Sequence, residues 1–128
     1  MIKEVANYIE TELPVFVIGA KLQVGHWNES APNRATLLLE SGGTPNEFLS
    51  DRKDPYMLQV LSRAETYMTA RDDAYSIYNL LHLKTQLNFE SIYEINVVSA
   101  TSVPQSLGED DKGRFLFTTN YIFRCRKI

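Results

Sequence analysis

The 128-residue sequence contains one cysteine, Cys125, and only two histidines, His26 and His82, which are far apart in the chain. A lone thiol excludes an internal disulfide and fits a reducing compartment. Those scattered side chains lack the clustered ligand spacing of a zinc site, so no metal is expected. Five prolines and six glycines are too few for a linker-rich chain, and neither an internal repeat nor a low-complexity stretch is present. No apolar run approaches the roughly 18 residues of a membrane span, so no membrane partner is expected. At the N-terminus, Lys3 and Glu4 interrupt the apolar residues and leave no signal-peptide core, which points to cytosolic synthesis. Positive charge is also scarce. Thirteen Lys and Arg against 16 Asp and Glu give a net charge of −3, which argues against a protein that grips nucleic acid by neutralising phosphates. It does not exclude one that lets DNA pass without holding it.

The composition is 44% hydrophobic and 23% charged, ordinary for a folded chain, and the length suits one domain spanning residues 1–128. Ile2, Val5, Ile9 and Leu13 recur at spacings of three and four, which predicts a short amphipathic helix over 2–13. Pro14 ends it by steering Leu13 away from helical geometry. Residues 15–24 are apolar and read as either an extended connection or a short strand. Residues 26–33 are turn-rich, and 34–40 predict a strand in which Leu37, Leu38 and Leu39 suggest burial on both faces. The stretch 41–55 reads as a long irregular connection opened by a Gly42-Gly43 turn; such length in a small domain is uncommon and often functional.

Tyr56 to Ala64 alternates as a strand, with Leu58, Val60, Ser62 and Ala64 on one face and Met57, Gln59, Leu61 and Arg63 on the other. A second helix follows, with Thr69 as its expected N-cap and Asp72 and Asp73 in its first turn. Ala70, Ala74, Ile77, Tyr78 and Leu81 form its apolar stripe, leaving Asp73 pointing away, and His82 and Lys84 sit near its end. Residues 91–100 are rich in β formers. Residues 101–112 form a polar loop, and 113–127 alternate cleanly, with Phe117, Thr119, Tyr121, Phe123 and Cys125 on one face. The expected class is α+β: an antiparallel sheet of about four strands with two helices packed on one face.

No catalytic constellation emerges. His82 reads as a helix-end residue and Cys125 as a small core residue, with no adjacent base to activate it. The acidic stretch 109–111 lacks the alternating oxygen ligands and closing glutamate of a calcium loop, and reads as a solvated turn. Gly42-Gly43 has neither the spacing nor the lysine of a phosphate loop. Trp27 suits either an interface anchor or a cap on the edge of the core.

From Tyr56 to Arg124 the order of motifs is more specific than any one of them. A strand ending near Arg63 precedes a helix ending Leu81-His82. Pro104, Leu107, Gly108, Asp110, Gly113 and Arg114 then form a P-x-x-L-G-x-D-x-x-G-R loop, and the last strand carries Phe117, Asn120 and Tyr121. This order resembles the tail terminators, or tail-completion minor capsid proteins, of long-tailed bacteriophages.

The resemblance implies a non-enzymatic virion protein without cofactor, placed at the head-proximal end of the tail. It implies a homo-hexameric ring that stops tube polymerisation, with the tail tube protein and a head connector or stopper protein as partners and DNA passing through the lumen. Asp51, Arg52 and Asp54 are expected to meet a neighbour or the tube. Arg63 and Glu65 are placed at a ring seam, and Asp110, Asp111 and Arg114 against a partner or the lumen. Rival readings are a neck protein of similar build, a cation- or small-ligand-binding α+β domain using Asp110 and Asp111, and a monomeric adaptor that binds peptides at its sheet edge.

Overall fold

The computed structural model describes residues 1–43, 54–89 and 93–127. In chain order the elements are α1 (Ile2–Glu12), β1 (Leu22–Val24), β2 (Ala35–Gly43), β3 (Asp54–Ala64), α2 (Tyr67–Leu81), β4 (Thr85–Phe89), β5 (Tyr93–Ala100), β6 (Gln105–Glu109) and β7 (Phe115–Lys127). The α+β class holds, but an antiparallel sheet of about four strands does not. Seven strands form one curled, mixed sheet in the order β1-β2-β3-β7-β5-β4, with β6 also paired to β7. β1 runs parallel to β2, and the other pairings are antiparallel.

The three strands missing from the sequence expectation share a physical cause. β1 is only three residues long, and β6 is exposed throughout. β4 is mostly exposed and carries Gln86 at a φ of 56°. Each is held by backbone pairing at a sheet margin, so none leaves a hydrophobic period to read. The stretch 41–55 is also more regular at its ends than expected. β2 continues through Gly42 and Gly43, with a bulge after Glu40, and β3 begins at Asp54. Gly42 adopts a φ of +94°, a backbone state natural to glycine. Gly42-Gly43 is therefore a bulged strand end and not the turn itself.

Alternation decides where the core lies. Leu58 and Val60 of β3 face the same side as Tyr121, Phe123 and Cys125 of β7, and all five are buried. Both helices cover that side: Val5, Ala6 and Ile9 from α1 and Ile77 and Leu81 from α2 join one cluster with them. Leu13 at the end of α1 has φ −129° and ψ 79°, the departure from helix that Pro14 imposes. A smaller cluster of Ala64, Ala70, Ala74 and Phe117 seats the first half of α2, where small residues allow close approach to the sheet.

α2 begins three residues earlier than its sequence suggests. Thr66, not Thr69, is the N-cap, and its hydroxyl accepts from the Thr69 backbone N–H at 3.3 Å. Asp73 therefore lies in the second turn, and it is buried instead of pointing away. Its carboxylate accepts from Arg34 Nε at 2.9 Å and Arg34 Nη2 at 2.8 Å, and from Lys21 Nζ at 3.2 Å. Arg34 precedes β2 and Lys21 precedes β1, so one carboxylate fastens α2 to the entrances of two strands. The bond to Asp73 also raises the Arg34 pKa, against the opposing effect of burial.

Replacing Asp73 with Ala strands Lys21, whose side chain is only 15% exposed, while Arg34, at 54%, turns to water. The expected loss is about 2–3 kcal/mol in urea unfolding, with Asp73→Asn milder because it keeps a hydrogen-bond acceptor.

Candidate assembly interface

The residues singled out from sequence divide between two ends of the sheet. Asp54 opens β3, whereas Arg63 lies nine residues later in the same strand, about 30 Å away along an extended chain. Asp51 and Arg52 lie outside the described residues. Arg63, Glu65, Asp110, Asp111 and Arg114 gather at the far end, where β3 finishes, β7 begins and the β6–β7 hairpin turns: Ala64 pairs with Phe115, and Phe115 with Glu109.

The hairpin motif is built by its own hydrogen bonds. The Asp110 carboxylate accepts from the backbone N–H groups of Lys112 and Arg114, each at 2.9 Å, and from Arg114 Nε at 2.7 Å. Gly113 and Gly108 take φ values of 74° and 84°, Gly113 closing the turn and Gly108 completing a bulge opposite Leu116. The Gly-x-Asp-x-x-Gly-Arg spacing is thus a turn code: each named residue fixes the tip. Both Asp110 oxygens are engaged by protein donors, which leaves the cation reading of this loop without its principal ligand. Asp111 is exposed beside it.

Arg63 is buried, although it occupies the sheet face away from the helices. Its guanidinium lies 3.8 Å from the centroid of the Trp27 ring and donates through Nη2 to the Pro32 carbonyl at 3.0 Å. The loop between β1 and β2 is folded over the sheet by these contacts, so Trp27 caps an arginine at the edge of the fold. Burial lowers the Arg63 pKa first, the nearby Arg114 charge lowers it further, and Asp110 opposes both. Glu65, placed with Arg63 at a ring seam, accepts from Asn33 Nδ2 at 2.7 Å within the chain. These contacts make Arg63 and Glu65 clamps on the loop 25–34.

His82 is likewise structural. Its Nδ1 accepts from the Ala100 backbone N–H at 3.0 Å and its ring stacks on Tyr78, which ties the end of α2 to the end of β5. Cys125 is a buried core thiol. Among the described residues, no group of three His, Cys, Asp or Glu side chains is placed to hold a metal ion. An open groove of about 550 Å³ beside β4 and β5 is lined by mostly polar residues, among them Thr85, Gln86, Asn88 and Glu94.

What sequence reasoning did not single out is the exposed apolar surface. Val15, Val17 and Ile18 are 65%, 50% and 38% exposed, and Val103 and Leu107 are 53% and 54% exposed. Single exposed apolar residues are ordinary, but these fall in two short stretches, 15–18 and 103–107; Tyr67 and Met68 at the start of α2 and Leu83 after its end are exposed as well. The only signal for them was the apolar character of 15–18, which sequence alone could not distinguish from core.

Hydrogen bonding from Arg114, first from its backbone and then its side chain, holds the Asp110 carboxyl below the usual aspartate range. Because the folded pKa is depressed, the stability this group contributes is present above the unfolded value of about 3.9 and fades as pH falls through the lower folded value. NMR titration should therefore show the Asp110 carboxyl carbon remaining ionised below pH 4. The Lys112 and Arg114 amide shifts should move with it, and Asp110→Ala should abolish that coupled titration while leaving the core resonances in place.

Comparison with known proteins agrees with this picture. No curated protein matches the chain. Eight chains of solved structures do. One of them superposes with a TM-score of 0.55 at 10% identity, covering 94% of this chain and 88% of the other, a likeness that shows the fold alone. The model of the bacteriophage tail terminator protein family matches residues 21–126, from the entrance of β1 almost to the end of β7. The chain belongs to the bacteriophage tail terminator family, a family of structural proteins of the phage tail.

Proposed function

We propose that this protein closes the head-proximal end of the phage tail tube as a homo-hexameric ring. It stops tube polymerisation there and offers its opposite face to the head connector or stopper protein. Family membership over residues 21–126 carries the proposal. Two features of the chain support it. The polar groups tested for chemistry are spent on holding loops and turns, as Asp110, Arg63 and His82 show. The net charge of −3 suits a lumen through which DNA slides without being retained. A ring requires a head-to-tail contact between two different patches on each copy, with a rotation that closes. Closure leaves no lateral site for a further copy, and a bound ring denies the tube its next layer.

Deleting the gene from its phage should yield tails much longer than normal by electron microscopy. Purified protein should form six-membered rings that sit on one end of isolated tail tubes. Tails of normal length that fail to join heads would instead identify a neck stopper. A protein that stays monomeric and never decorates tubes would sink the ring reading altogether.

A further inference from the structure

Two of the exposed apolar groups, 15–18 and 103–107, occupy opposite margins of the sheet at the same level, whereas Tyr67, Met68 and Leu83 lie at the ends of α2. Pairing can be followed strand by strand: Ile18 bridges to Leu22, Leu22 pairs with Thr36, Thr36 with Ser62, Ser62 with Phe117, and Phe117 with Ser106. Ile18, next to Val15 and Val17, ends this rung on one side. Ser106, next to Leu107 and close to Val103, ends it on the other. A partner of another kind would need only one such patch. Two unlike apolar patches at opposite ends of one rung are what a second copy needs to dock head to tail.

We propose that the lateral seam of the assembly is formed by this pair of margins, with Val103 and Leu107 of one copy packing on Val15, Val17 and Ile18 of the next. The inference rests on the ring reading and specifies its interface. The contact is made by side chains, because the outer edge of β1 is already engaged and β6 is a poor template for pairing. Gly19 N–H donates to the Leu22 carbonyl at 2.8 Å and Leu22 N–H to the Val17 carbonyl at 3.0 Å, so the outer edge of β1 is covered from within. On the other side, β6 is five residues long and broken by the Gly108 bulge, a poor template for strand addition. Both patches avoid the Arg63 and Glu65 clamps, which the chain uses internally.

The test is disulfide cross-linking of the full-length protein, alone and on isolated tail tubes, after Val17→Cys and Leu107→Cys substitution. Both positions are at least half exposed, whereas the native Cys125 is buried in the core. Mixing the two single variants should give a covalent dimer under mild oxidation, while neither variant alone should. The double variant should give a ladder ending at the ring size. Leu107→Asp should lower the ring fraction at least tenfold with an unchanged melting temperature of the monomer.

Rings visible by negative stain without any mixed cross-link would overturn the seam assignment and leave the ring reading standing. Homodimers from either single variant would show a two-fold contact and overturn it too. So would cross-links formed only to the tube protein. Absence of both rings and cross-links, with and without tubes, would remove the seam and the ring reading together.

Discussion

The structure depends on the register of β3 against β7. Eleven consecutive pairs, from Asp54 with Cys125 to Ala64 with Phe115, join the two longest strands antiparallel. Every other element is placed by that ladder. β2 lies on one side of it, while β5 and β6 share the other, dividing β7 between its C-terminal and N-terminal parts. A slip of one residue in β7 would turn Tyr121, Phe123 and Cys125 away from the helices and bring Ile122 and Arg124 inward. The period-two pattern thus fixes the core and, through it, which residues remain at the margins.

Asp73 sets the position of α2 on this sheet more tightly than apolar packing alone. Hydrophobic contact is non-directional, so Ile77 and Leu81 would tolerate some sliding of the helix. The two-pronged bond to Arg34, with Lys21 as a third donor, removes that freedom. It also places a charged link where α2 would otherwise meet the polar entrances of β1 and β2. Arg63 performs a related task on the other face, where Trp27 and Pro32 hold it beneath the loop between those strands. Two arginines with partners inside the chain therefore shape the ends of the domain, Arg34 half-exposed on Asp73 and Arg63 buried beneath Trp27.

The legible part of the sequence is the part governed by burial. The alternation of β3 and β7, the stripe of α1 and the body of α2 all follow from which side chains leave water. Thr66 is hidden as the N-cap because Thr69, three residues on, carries the same hydroxyl, and only the backbone shows which one accepts the bond. Asp73 looked like a solvated first-turn acid because its partners lie 39 and 52 residues earlier. The hairpin motif was legible as a motif, but its meaning was not. Asp110, Gly113 and Arg114 mark a turn that stabilises itself, and a pattern of spacing does not say whether a charge is spent inside the chain or offered outside it.

The margins of the sheet suit the proposed ring, which needs a closed assembly and not an open one. A long unpaired strand edge adds partners of any register and keeps growing. Here each margin is blunted in its own way: β1 is covered by the backbone of residues 17–19, β6 is short and bulged, and Gln86 distorts β4. With ladder extension suppressed at these edges, the lateral association proposed above would fall to side-chain surfaces of fixed shape. Such surfaces specify an angle as well as a contact, and a fixed angle repeated around an axis is what distinguishes a ring from a fibre.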